Sequence, residues 1–126
     1  MKEVIDCGLP PLKQPFSWAV KSAGMLFTAH GPVRADGSID TGPIEAQARL
    51  TFANLRRAVE AAGGGMQDVT QVLIYMTDVQ DMAAIDAVYR EFFEPPYPNR
   101  SSMGVAALVV PGMKLEIVAY AMIPER

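Results

Sequence analysis

One arginine and one glutamate in the last third of the chain have the types and the setting to do chemistry together. Arg100 stands at the exit of a proline-stiffened loop, EPPYPNRSSMG, and Glu116 stands inside an otherwise apolar strand, KLEIVAYAMI. A guanidinium presents a fixed fork that matches a carboxylate with two parallel hydrogen bonds. A carboxylate between Leu115 and Ile117 is expected to hold its proton to higher pH, because burial penalises the charged form. That suits proton transfer near neutrality. If the two strands are neighbours, cation and carboxylate face one small space, a site for a small anionic molecule. The alternatives are a surface salt bridge for Arg100, since most arginines are surface residues, and for Glu116 a pairing with Lys114 or with an arginine of a neighbouring subunit.

Fewer residues compete for a chemical role elsewhere. His30, in TAHGPV, follows a strand and could line a pocket, act as an acid or base, or be a turn histidine satisfied by backbone groups. Cys7 has no activating base near it in sequence and reads as a structural cysteine. Ser101 and Ser102 lack the GxSxG setting of a nucleophile. With one cysteine and one histidine in 126 residues, neither a disulfide framework nor a Cys/His zinc set can be built within one chain.

The elements that must position these residues follow from periodicity. Ile44, Ala48, Phe52, Leu55, Val59 and Ala62 step by three or four and predict a helix from about Pro43 to Ala62, stopped by Gly63, Gly64 and Gly65. The glycine triplet ends a helix and is followed by no GKS or GKT, so it reads as a C-cap and not a phosphate loop. A second helix is predicted from Asp81, as N-cap, to Phe93, with Pro95, Pro96 and Pro98 beyond it. Strands are predicted at Ser17–Lys21, Met25–Ala29, Val69–Asp78, Ser101–Leu108 and Lys114–Ile123, with a hairpin turn at Ser22-Ala23-Gly24, a turn at Asp36-Gly37 and a short strand before Cys7. This order describes one α+β domain over residues 1–126, a mixed sheet with two helices on one face.

The predicted strand Val69–Asp78 is apolar on both faces, and the last strand carries Val118, Tyr120 and Met122 on the face opposite Ile117 and Ala119. Two helices cover only one face of a sheet. A second apolar face needs other cover, which points to a homo-oligomer with Glu116 near a subunit interface. A net charge of −3 with no basic run argues against nucleic acid as the main partner. The N-terminus has no signal-peptide core, and no stretch approaches a membrane span of ~20 apolar residues. A cytoplasmic protein without membrane contact is expected.

These segments resemble the YjgF/RidA family of small trimeric proteins, many of them enamine/imine deaminases. QPFSWAVKSAGMLFTAHGPV resembles the family's GPYSQAV segment, hairpin and following loop. EAAGGGMQDVTQVLIYMTDVQDMAAIDAVYREFF resembles its helix–strand–helix centre. PYPNRSSMGV and KLEIVAYAMI resemble its PxARS segment and KIEIEAIA strand, in matching order and spacing. The resemblance implies a chorismate-mutase-like fold and a homotrimer with active sites in clefts between subunits. It implies no metal and no organic cofactor. It places Arg100 on the arginine that binds the substrate carboxylate and Glu116 on the glutamate that positions or activates water. Phe16, Ala29, His30, Gly31 and Ser102 fall on substrate-binding positions.

The implied reaction is hydrolysis of small 2-imino acids and their enamine tautomers to 2-oxo acids and ammonia, as in a 2-iminobutanoate/2-iminopropanoate-type deaminase. Several positions depart from the pattern. Gln14 replaces the glycine before the proline, Phe16 a tyrosine, Trp18 a glutamine, Ser102 a cysteine and Val118 a second glutamate; the loop at Ala29-His30-Gly31 is one residue shorter. Two other readings accompany the deaminase. One is a hydrolase dedicated to a single catabolic intermediate, with Trp18 and His30 shaping its pocket. The other is a non-catalytic binder of small carboxylates such as 2-oxo acids, or a chaperone-like trimer.

Overall fold

The structure is a computed structural model that describes residues 1–125. Helix α1 (Ile44–Ala61) buries its apolar stripe, with Ala48, Phe52, Leu55 and Val59 wholly inaccessible. Gly63 turns the chain at φ +97°. Gly64 then donates to the Val59 carbonyl, which closes the helix end as the glycines predict. Helix α2 (Met82–Phe92) turns Ile85, Val88 and Tyr89 inward. Asp81 flanks α2 but its side chain makes no capping bond. The capping aspartate is Asp78, which accepts from the Gln80 N–H at 2.9 Å and starts a single 3-10 turn ahead of the helix.

Six strands form one sheet. They are β1 (Glu3–Val4), β2 (Ala19–Ser22), β3 (Met25–His30), β4 (Val69–Met76), β5 (Asn99–Gly104) and β6 (Leu115–Met122), in the order β1-β2-β3-β6-β4-β5. β2 and β3 meet at Ala23 and Gly24, whose φ angles of 52° and 78° make the two-residue hairpin turn with both central residues left-handed. That turn sets the register, Ser22 opposite Met25, and β2 starts at Ala19, two residues later than expected. β5 departs most from expectation, starting before Ser101 and stopping at Gly104. Its partner β4 ends at Met76, paired with Gly104. The apolar run at residues 105–110 has no further edge to pair with and becomes loop.

The connection β4–α2–β5 is a strand–helix–strand crossover, and β4 and β5 pair in parallel. β6 then returns antiparallel on the other edge of β4. Arg100 and Glu116 therefore do not sit on neighbouring strands, as a shared pocket within one chain would need. β4 lies between them.

The faces separate cleanly. Leu26, Val72, Ile74, Leu115 and Ile117 are inaccessible beneath the helices. On the other face Phe27 and Met122 are 42% and 48% exposed. Phe27 packs edge-on against Tyr120 at 5.6 Å, and Leu73, Tyr75 and Val118 are only half-buried. The uncovered apolar face expected from strand periodicity is present.

Candidate active site

A cavity of about 770 Å³ opens where the segment Pro10–Trp18, the end of β3 and the loop between β5 and β6 converge. Helix α1 holds two of these walls from behind. Asn54 donates to the carbonyls of Gly31 and Val33 at 3.1 and 2.8 Å. Gln47 donates to the Gly112 carbonyl at 3.0 Å and accepts the Lys114 N–H at 2.8 Å. Both side chains are buried, so each exchanges water for fixed backbone partners. They went unnoticed in the sequence, although a glutamine and an asparagine seven apart on the buried side of a helix are the signal. Gly31 lies close under Met113, whose terminal methyl would have to move aside for a Cβ there.

Of the residues singled out in the sequence, the cavity gathers Phe16, Ala29, His30, Gly31 and Glu116. Among the described residues Glu116 is the only carboxylate on its wall. It pairs across the sheet with Tyr75 on the uncovered face, and burial raises its pKa above the ordinary carboxylate value.

His30 is 1% exposed and stacks with its ring 9° from the plane of Trp18, centroids 6.2 Å apart. Its Nε2 lies 2.6 Å from the Thr28 hydroxyl. That hydroxyl also lies 3.0 Å from the Trp18 carbonyl, and a hydroxyl that donates there accepts from Nε2–H. That arrangement puts the ring proton on Nε2; Nδ1 has no protein partner. Burial pushes the imidazole pKa down to about 4, so the ring is neutral at pH 7. A side chain, not the backbone, holds this histidine.

Arg100 and Ser102 lie outside this cavity. Arg100 pairs with Val72 on the helix-covered face, an odd number of residues from Tyr75 and so opposite to Glu116. Its Nη1 stands 2.7 Å from Asp86 Oδ1, and its guanidinium carbon lies 4.8 Å above the Tyr89 ring. The Asp86 contact is an ion pair without hydrogen-bond alignment. Together with Tyr97 these side chains line a separate depression. Ser102 is exposed two residues further along β5. Cys7 is buried and its pKa raised by burial, in keeping with a structural role. Among the described residues no three of His, Cys, Asp and Glu cluster as a metal site would need, and no helix is long and apolar enough to cross a membrane.

The sequence model of a protein family described as endoribonuclease L-PSP matches residues 9–123. The chain belongs to this family, the YjgF/RidA family. A YjgF/RidA relative, the 2-iminobutanoate/2-iminopropanoate deaminase of Dermatophagoides farinae, is 36% identical over 110 residues, covering 85% of this chain and 86% of that protein. The mitochondrial protein mmf2 of Schizosaccharomyces pombe is 36% identical over 109 residues, covering 85% of this chain and 86% of that protein. Among solved structures, Escherichia coli TdcF with bound serine superposes with a TM-score of 0.86 at 34% identity, covering 95% of this chain and 98% of the other. The α+β fold is that of the YjgF/RidA proteins.

Proposed function

We propose that this protein hydrolyses reactive 2-imino acids and their enamine tautomers to 2-oxo acids and ammonia. The observation that carries this reading is Glu116, a half-buried carboxylate of raised pKa and, among the described residues, the only acid on the wall of a largely apolar cavity. The deaminase named among the relatives supports it. A protonated imine carbon is already electrophilic, so the chemistry needs a positioned water and a proton carrier, not a strong nucleophile. Glu116 takes a proton as water adds to that carbon and returns it to the nitrogen of the resulting carbinolamine. The carbon–nitrogen bond then breaks: ammonia leaves, and the hydroxyl proton passes to the Glu116 carboxylate as the carbonyl forms.

Arg100 is the carboxylate anchor in this reading, and it comes from a second copy of the chain. One chain keeps Arg100 and Glu116 on opposite faces of its sheet, whereas the uncovered apolar face that carries Glu116 favours burial against another subunit. A homotrimer with three intersubunit sites meets both requirements. Ser102, two residues from Arg100, would enter the same cleft from that second subunit. Neither a metal nor an organic cofactor is part of the mechanism. A cytoplasmic location belongs to this reading, although the fission-yeast relative is mitochondrial. The endoribonuclease in the family's description gains no support from a net charge of −3.

The test is to generate 2-imino acids with an amino-acid oxidase, add purified protein and follow loss of the imine. Arg100→Ala is expected to abolish acceleration and Glu116→Ala to reduce it strongly. Undiminished activity of Arg100→Ala would sink the site. Tight binding of 2-oxo acids without acceleration of any imine would favour the non-catalytic binder.

A further inference from the structure

We infer that Gln47 and Asn54, two buried amides on α1, are positioning residues for Glu116 and fix the corner of the sheet where that carboxylate works. This rests on the deaminase reading and deepens it. On one side Glu116 pairs with Tyr75 of β4. On the other side β6 pairs with β3 only as far as Ile117, opposite His30. Leu115 and Glu116 thus lie beyond the end of the β3 ladder. A strand end held along one edge opens more readily than one held along both.

Helix α1 supplies the missing hold. Gln47 Oε1 accepts the Lys114 N–H at 2.8 Å, one residue before β6 begins. Its Nε2 donates to the Gly112 carbonyl at 3.0 Å and to the Gly42 carbonyl at 3.1 Å. The Lys114 backbone can only donate there, so the three bonds agree on one orientation of the amide. The Lys114 carbonyl accepts from the Thr77 N–H at 3.1 Å, which takes up both backbone groups of that residue. Asn54 does the same for the facing segment. Its Nδ2 donates to the Gly31 and Val33 carbonyls at 3.1 and 2.8 Å, directly after His30, the last residue of β3.

Gln47 and Asn54 are 0% and 2% exposed. They stand seven residues apart, two helical turns or about 10 Å along the axis. One helix therefore sets the separation of the two segments that flank Glu116. These bonds all lie within one chain and hold whether or not a second subunit closes the cavity. Acid–base catalysis needs the carboxylate within hydrogen-bond reach of its water, and a misplacement of about 1 Å can cost on the order of a hundredfold. Loosening either amide should lower kcat. Arg100, the anchor in that reading, lies on β5 against Asp86 of α2, so KM should change little.

The experiment measures steady-state kinetics with 2-imino acids made in place by an L-amino-acid oxidase. Gln47→Met keeps the length of the side chain and removes its three bonds. Asn54→Ser is milder, since it deprives carbonyls and no N–H of a partner, and it carries the comparison if Gln47→Met fails to fold. Each is expected to lower kcat at least about tenfold with KM changed less than about threefold. In a Glu116→Gln background the same changes are expected to lower kcat less than about twofold, because residues that act as a unit are not additive. Thr51 lies between the two amides on α1, and its buried hydroxyl has no partner among the described residues. Thr51→Val is the control and is expected to leave kcat unchanged. Unchanged kcat in either folded amide variant, an equal loss with and without Glu116, or a raised KM at unchanged kcat overturns the inference and leaves the deaminase reading standing.

A second arm needs no turnover. The Glu116 carboxyl is titrated by NMR of protein labelled with 13C-glutamate, its resonance assigned by Glu116→Gln. Gln47→Met and Asn54→Ser are expected to bring its midpoint down toward that of an ordinary carboxylate, because a loosened corner admits water. Thr51→Val is expected to leave it in place. That shift without acceleration of any imine by the parent protein sinks the deaminase and keeps the positioning role. A parent-like titration in both amide variants overturns the role.

Discussion

Arg100 and Asp86 form an ion pair, 2.7 Å between Nη1 and Oδ1, that turns the guanidinium toward α2 and lays it over Tyr89. The side chains are 27% and 29% exposed. Asp86 and Tyr89 are three apart on α2 and so share one side of the helix. The anchor proposed for a substrate carboxylate already has a counter-charge in the free chain.

That pairing predicts competition. An incoming carboxylate must share the guanidinium with Asp86, and two like charges close together repel. Asp86→Asn is expected to lower KM about two- to fivefold with kcat little changed. The fold should lose no more than about 1 kcal/mol, because the pair is partly exposed. Steady-state kinetics with denaturant titration checks both. A raised KM would show that Asp86 aids the anchor instead.

Glu116 couples function to instability. Its raised folded pKa means that the folded chain binds more protons than the unfolded one just above the ordinary carboxylate value. Its contribution to stability is present at low pH and lost as pH rises through the folded pKa. Glu116→Gln is expected to melt at higher temperature than the parent protein at pH 7 and to lose at least about a hundredfold in kcat, the scale of general acid–base catalysis. Equal melting at pH 7 would show that the carboxylate is not penalised by its site.

His30 acts in the opposite direction. Its folded pKa of about 4 lies below the ordinary 6.5, so the unfolded chain binds more protons between those values. Stability is then lost as pH falls from about 6.5 toward 4, by roughly 3 kcal/mol over the whole window. Chemical denaturation at pH 7 and pH 4.5 should resolve this, and His30→Phe should flatten it. Because the chain has one histidine, nitrogen NMR of 15N-labelled protein reads the tautomer directly. The proton is expected on Nε2, and a proton on Nδ1 would show that Thr28 donates to the ring instead of accepting from it.

The uncovered face makes a prediction about assembly. Phe27 and Tyr120 form an exposed aromatic pair on it. Phe27→Glu is expected to yield monomers by analytical ultracentrifugation, with retained circular dichroism and no imine hydrolysis, since Arg100 would then be parted from the cavity. An active monomer would refute the intersubunit site.

Local pattern determined much of this protein. The glycine stop after α1, the hairpin at Ala23-Gly24 and the two-faced apolar strands are readable because each depends on neighbours a few residues apart. Glu116 stood out for the same reason, as a charge between two aliphatic residues. The resemblance to the YjgF/RidA family was legible in the segments around Arg100 and Glu116. Only the tertiary structure decided which candidates meet. The crossover through α2 makes β5 pair with β4, and β6 takes the other edge, so two residues sixteen apart in sequence end on opposite faces. The tertiary structure also decided the contact of His30 with Thr28 and the roles of Gln47, Asn54 and Asp86. Those rest on hydrogen bonds and charges between segments far apart in the chain, and such pairings leave no mark in local periodicity.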